Sequence, residues 1–189
     1  MKSKGIVKRV RKPSFWGRHE DKIPLELKEW VLNQYFSQDW LYIYCDSSCS
    51  KLNHGMSVAC TYVGNASVMV TQQLVYSPAD VWGKNVFGEL KSVIFALLNF
   101  SNYIETAHKG VTIFSDLDDI EMLLSKKIVF KKIDTLITIQ NELIDLFGKM
   151  QTENPKLTIE VKYLTRQLKK HNPFMKASHN ASRRLLKRS

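Results

Sequence analysis

Three carboxylates stand where an α/β chain assembles its chemistry. Asp46 closes the β-prone run Leu41-Tyr-Ile-Tyr-Cys, and Asp116 closes a second, Val111-Thr-Ile-Phe-Ser. Ligand sites in open α/β sheets form at strand carboxyl ends, and neighbouring central strands would bring the two acids within a few ångströms of each other. Glu89 follows Asn85-Val-Phe-Gly near the start of an apolar helical stretch, in the right turn to project over the same strand ends. With no evident Lys or Arg partner, three converging acids repel one another and rise in pKa. Hard divalent cations such as Mg²⁺ or Mn²⁺ remove that conflict. Two of them about 4 Å apart can activate a water and stabilise the leaving oxygen in phosphodiester cleavage. Each acid alone has a plainer reading, as a turn or cap residue for the aspartates and as a dipole-favoured helix start for Glu89. The set is what points to metal chemistry.

The elements that must position these acids are readable from periodicity. Pro24, early acids, and Leu27, Trp30, Val31 and Tyr35 at helical spacing predict a short amphipathic helix over 24–36. Strands follow over 41–46, 55–64 and 68–76, with a turn over 47–54 and a tight hairpin at Asn65-Ala66. A helix is expected from Asn85 to about Ala107, a fourth strand over 111–116, and a short helix over 117–124. A basic connector, a helix over 133–150, a strand over 157–164 and a basic helix over 173–186 complete the body. The order β β β α β α α β α predicts an α/β fold. Its sheet is five-stranded and mixed, three antiparallel strands then parallel ones, with helices on both faces.

Charge is distributed unevenly along the 189 residues, whose net charge is +10. Residues 1–18 carry seven basic side chains and residues 161–189 carry nine, among them Lys169, Lys170 and Arg183, while all 18 acids lie between. Basic ends around an acidic centre suit a polyanion gripped at its edges, although solvated tails would look the same. Phe15 and Trp16 beside Arg18 could stack on bases or dock on the domain. No run approaches the roughly 20 apolar residues of a membrane span, and the N-terminus lacks a signal-peptide core. Three cysteines (Cys45, Cys49, Cys60) are too few for a disulfide scaffold, and one Cys-x-x-x-Cys is a poor zinc signature. The expectation is a soluble, cytoplasmic chain.

Residues from about 41 to 186 resemble the type 1 ribonuclease H domain of the ribonuclease H-like superfamily. Cys45-Asp46-Ser47-Ser48-Cys49 resembles the family's first-strand Asp-Gly-Ser motif, and Asn85-x-x-x-Glu89-Leu its Asn-x-x-x-Glu-Leu segment. Ser115-Asp116 resembles its fourth-strand aspartate, and Ser178-His179-Asn-Ala-Ser-Arg183 its closing Ala-Asp-x-Leu-Ala-Arg helix. The resemblance implies metal-dependent cleavage of the RNA strand of RNA–DNA hybrids. Asp46 would bridge two metals, and Glu89 and Asp116 would bind one of them. Ser48, Cys49 and Asn85 match positions that contact the hybrid, and His171 falls where the family often has a mobile histidine aiding proton transfer or product release, an ordinary surface histidine being the other reading. Residues 1–38 lie outside the resemblance as a basic extension, and 39–189 form the domain.

The departures carry their own expectations. His179 stands where a fourth acid is expected. Neutral imidazole adds no negative charge and is a softer ligand, so the second metal should bind more weakly and Mn²⁺ should be favoured. Ser47 replaces a glycine, and Asp118 and Asp119 are either spare ligands or N-terminal charges of a short helix. Two other functions remain open on these residues: a ribonuclease H-like module that binds nucleic acid but cuts poorly or not at all, and a DNA-directed exonuclease or recombinase.

Overall fold

A computed structural model describes residues 13–50 and 55–187. In strand β1 (Trp40–Cys49), Ile43 and Cys45 are buried in one apolar cluster and Tyr44 in another. Successive side chains of a strand point to opposite faces, so the sheet is covered on both. β1 pairs antiparallel with β2 (Met56–Gly64), which pairs antiparallel with β3 (Ser67–Val75). On its other side β1 pairs parallel with β4 (Gly110–Ser115), and β4 with β5 (Thr158–Tyr163). The order β3-β2-β1-β4-β5 is the mixed sheet that the sequence predicts.

Helices α2 (Asn85–Asn99) and α4 (Asp134–Glu153) cover one face, burying Leu90, Val93, Leu97, Leu136, Ile139 and Leu143 against Ile43, Val111 and Ile113. The opposite face carries α1 (Leu25–Tyr35) and α6 (Pro173–Leu186), which pack Leu27, Val31, Phe174 and Met175 around Tyr44 and Phe114. Short helices α3 (Ile120–Leu124) and α5 (Arg166–Lys169) follow β4 and β5. Asn172 caps α6, its side chain accepting from the Phe174 and Met175 amides at 2.9 and 3.1 Å, a contribution of about 1 kcal/mol. The buried side of α6 carries the small residues Ser178, Ala181 and Ser182, which let the helix lie close on the sheet. Ser178 Oγ donates to the Tyr44 carbonyl at 2.8 Å, and Ser57 Oγ to the Ser182 carbonyl at 2.6 Å.

The segment ahead of α1 is built into this second layer. Ile23 is buried with Leu27, and Phe15 packs edge-on against Tyr35 and Phe174 with ring centroids 5.2 Å from each. Asn65 and Ala66 both take positive φ, as a two-residue hairpin turn requires.

Two expectations are corrected, and two short elements are added to them. β1 does not end at Asp46 but runs on to Cys49, so Ser47, Ser48 and Cys49 are strand rather than turn. Continued antiparallel pairing with β2 extends it, Asp46 facing Ala59 and Cys49 facing Met56. α2 stops at Asn99, whose side chain donates back to the Phe95 carbonyl, and a 3-10 turn (Phe100–Tyr103) takes the chain out of the helix. A 3-10 turn (Gly17–Lys22) and α5 were too short for periodicity to mark. The expected basic side chains at Lys2 through Lys12, residues 51–54 and Arg188 lie outside the described residues. No helix among the described residues is long and apolar enough to cross a membrane.

Candidate active site

Two strands and two helices bring the predicted acids to one cleft. The β1–β4 register sets Tyr44 opposite Phe114, so Asp46 and Asp116 leave the shared parallel ladder at the same level. β1 continues past that level only by pairing with β2. Asp46 is therefore a mid-strand residue, 4% exposed, with its carboxylate against α6.

Helix α2 reaches the site because position 88 has no side chain. A Cβ on Gly88 would lie 2.5 Å from Ser47 Oγ and 2.9 Å from Ser47 Cβ. This close approach puts Glu89 against β1, where Ser47 Oγ donates to Glu89 Oε1 at 2.8 Å. The other oxygen, Glu89 Oε2, is buried with no hydrogen-bond partner. Burial, reinforced by Asp46 and Asp116, pushes the Glu89 carboxyl up to about 8, against the opposing effects of the Ser47 bond and Lys169.

Helix α6 supplies the groups that hold Asp46. Ser182 Oγ donates to Asp46 Oδ2 at 2.7 Å, and His179 Nδ1 lies 3.4 Å from each carboxylate oxygen. His179 and Ser182 are three residues apart, so one helix face presents both. Burial raises the Asp46 pKa, opposed by the Ser182 bond, His179 and Lys169.

Asp116 corrects the sequence reading on one point. It is not free of a protein cation, because Lys169 Nζ from α5 donates to its Oδ2. Among the described residues, no three His, Cys, Asp or Glu side chains stand close enough, as placed, to form a metal-holding group. The donor set nevertheless suits a hard cation: oxygens only from the acids, one of them buried without a partner, with Asp46 and Asp116 each raising Glu89. Lys169 supplies the positive charge that the cluster holds without a metal.

The cleft is open, about 640 Å³, and lined by Asp46, Glu89, Asp116, Asn85, His179 and Arg183 among others. Ser48 and Cys49 also line it, Ser48 Oγ within 2.9 Å of Ser182 Oγ. Of the predicted basic residues, Lys169 and Arg183 line the cleft, whereas Lys170 is exposed and lines neither it nor the recess beside it. His171 also lies outside the cleft lining, in the adjoining recess that Asp46 shares. It is exposed with φ +67° in the loop before α6, its carbonyl accepting from Trp16 Nε1 at 2.7 Å. Asp118 and Asp119 sit ahead of α3, outside the cleft lining, which fits the helix-start reading. Cys45 and Cys60 face each other across β1 and β2 as free thiols, their sulfurs 3.5 Å apart.

Sequence reasoning missed Ser182, Ser47 and Lys169 as partners of the acids. Ser182 was recoverable from its helical spacing to His179. Lys169 was not, because α5 is too short to predict.

No protein-family model matches this sequence, and no curated protein does. Solved structures do match. The ribonuclease H1 of the archaeon Halobacterium salinarum superposes over 79% of this chain and 99% of its own, with a TM-score of 0.55. The fold is that of ribonuclease H. The N-terminal ribonuclease H domain of a Mycobacterium tuberculosis protein covers 80% of this chain and 99% of itself at a TM-score of 0.56. LC11-RNase H1, a compost metagenome protein solved in complex with an RNA/DNA hybrid, covers 77% and 99% at 0.53. Sequence identities are 12%, 10% and 12% in that order, so the shared property is the ribonuclease H fold.

Proposed function

We propose that this chain is a divalent-metal-dependent endonuclease that hydrolyses the RNA strand of RNA–DNA hybrids. One observation carries the reading: on a ribonuclease H fold, Glu89, with one oxygen buried and unpartnered, lines an open cleft together with Asp46 and Asp116, a basic helix along its side. Such a carboxyl cluster is costly unless a cation or a proton offsets it. Asp46, Glu89 and Asp116 would hold Mg²⁺ or Mn²⁺, with His179 a weak fourth ligand. Two divalent ions held there would supply an activated water and stabilisation of the leaving oxygen.

The remaining roles belong to this chain's own side chains. Ser182 and His179 fix the orientation of Asp46, and Ser47 fixes that of Glu89. Lys169 screens Asp116, for which a bound metal would have to compete. Arg183 and Lys169 meet backbone phosphates, while Ser48, Cys49 and Asn85 face the hybrid at the cleft wall. Residues 1–38 form an extension of the ribonuclease H body at 39–189. Two free thiols at contact distance suit the reducing cytoplasm.

The test is a labelled hybrid incubated with the protein and Mn²⁺. Cleavage of the RNA strand alone, abolished by Asp46→Asn, is the expected result. An intact hybrid at high protein concentration would reject the catalytic reading. The pairing of Asp116 with Lys169, together with His179 in place of an acid, favours one second reading. In it the same cleft binds hybrids without cutting them.

A further inference from the structure

A second recess of about 620 Å³ opens beside the acids, and none of the chemistry above uses it. Its near wall is Lys169, His171 and the first turns of α6. Its far wall is Phe15, Trp16, His19 and Lys22, from the segment ahead of α1. Two anchors hold the far wall in place: the Trp16 bond to the His171 carbonyl, and the packing of Phe15 on Tyr35 and Phe174. The recess is continuous with the acid-lined cleft, since Asp46, Lys169 and His179 line both. Among the described residues that line it, Asp46 is the one carboxylate, set against Lys22, Lys169 and Lys176.

The exposed face of α6 joins the two spaces. Lys176 lies in the recess, His179 at the shared mouth, and Arg183 and Lys187 in the cleft. They recur at helical spacing, and at 1.5 Å per residue the row spans about 17 Å, enough for several consecutive phosphates. Aromatic and apolar walls with a cationic rim suit a nucleotide, its base against the walls and its phosphate on the ammonium groups. In a duplex both faces of a base are covered by stacked neighbours, so such a recess recognises a base only where it is unpaired.

We infer that the recess binds an unpaired nucleotide of a single-stranded tail. The preferred substrate is then a hybrid that continues into single strand, not a blunt duplex. This deepens the nuclease reading and rests on it.

The experiment measures affinity in EDTA, where nothing is cut. The ligands are a short blunt RNA–DNA hybrid, the same hybrid with a tail of a few nucleotides at each end in turn, and tails lacking their bases. One tail should tighten binding about tenfold, the value of stacking a single base. Removing the bases, or changing the exposed His19→Ala and Lys22→Ala together, should abolish that gain and leave the blunt hybrid unaffected. Equal affinity for blunt and tailed hybrids overturns the inference, as does a gain that survives base removal or the double substitution. The nuclease reading would stand in those cases. Binding the blunt hybrid no better than free single strands would instead reject the nuclease reading itself.

Discussion

Replacing Glu89 by glutamine should make the metal-free protein more stable, by an amount that grows with pH. In the folded chain burial beside Asp46 and Asp116 moves this carboxyl from 4.5 to about 8. Below the unfolded value both states hold the proton and Glu89 costs nothing. As pH rises the unfolded chain releases its proton first, so stability falls until the folded pKa is passed. At about 1.4 kcal/mol per pH unit, the loss is roughly 3 kcal/mol at pH 7 and approaches about 5 kcal/mol above pH 8. The amide of the Glu89→Gln variant would keep the acceptor for Ser47 Oγ and lack the titration. Urea unfolding in EDTA at a series of pH values from about 5 to 8.5 reads the difference directly. The wild-type stability should decline relative to the variant by about 3 kcal/mol between pH 5 and 7. Added Mn²⁺ should stabilise the wild type strongly and the variant, which lacks one of the three carboxylates, much less, because carboxylate ligands bind metal deprotonated. Parallel stability curves for the two proteins would refute the argument, since Glu89 would then be an ordinary ionised surface acid.

Three further outcomes follow from the same geometry. Lys169→Met removes the cation on Asp116, a pair whose side chains are 40% and 28% exposed. Such a pair is worth about 1 kcal/mol, so Mn²⁺ titrated calorimetrically should bind about fivefold more tightly, and unchanged affinity would show that Lys169 does not compete. His179→Asp places an oxygen donor beside Asp46, and Mg²⁺ affinity should rise about tenfold with a gain in hybrid cleavage. A variant that binds Mg²⁺ tightly yet cuts nothing would favour the binding-only reading. Ser182→Ala leaves a buried Asp46 oxygen without its donor, which should cost about 1–3 kcal/mol in thermal or urea unfolding, and a neutral effect would argue that water replaces the hydroxyl.

The legible parts of this molecule were those governed by periodicity. The β-prone runs of β1 and β4, the helical spacing of Leu90, Val93 and Leu97, and Asn-Ala between two β-prone runs each encode a local structure that the packed fold does not override. The bounds of α6 matched because Pro173 and the Asn172 cap mark its start. What escaped is what depends on partners distant along the chain. Asp46 reads as the end of a strand because it is an acid closing a β-prone run ahead of a polar stretch, yet pairing with β2 carries β1 on to Cys49. Asp116 reads as unpaired because Lys169 is 53 residues away on a helix of four residues. The aromatic pair Phe15-Trp16 gives no periodic signal, and its docking is visible only once Tyr35 and Phe174 lie side by side.

Gly88 gives the helix–strand spacing a significance beyond packing. A single methyl group there would meet Ser47 Oγ and Cβ at 2.5 and 2.9 Å, with Met56 Sδ at 3.3 Å behind them. Either α2 or β1 would have to retreat, and Glu89 would withdraw with the backbone that carries it. Activity could therefore be silenced by alanine at a position that bears no functional group, with every acid intact and the architecture preserved. Among descendants of such a scaffold, the residue at this position would be a better guide to a lost activity than the carboxylates themselves.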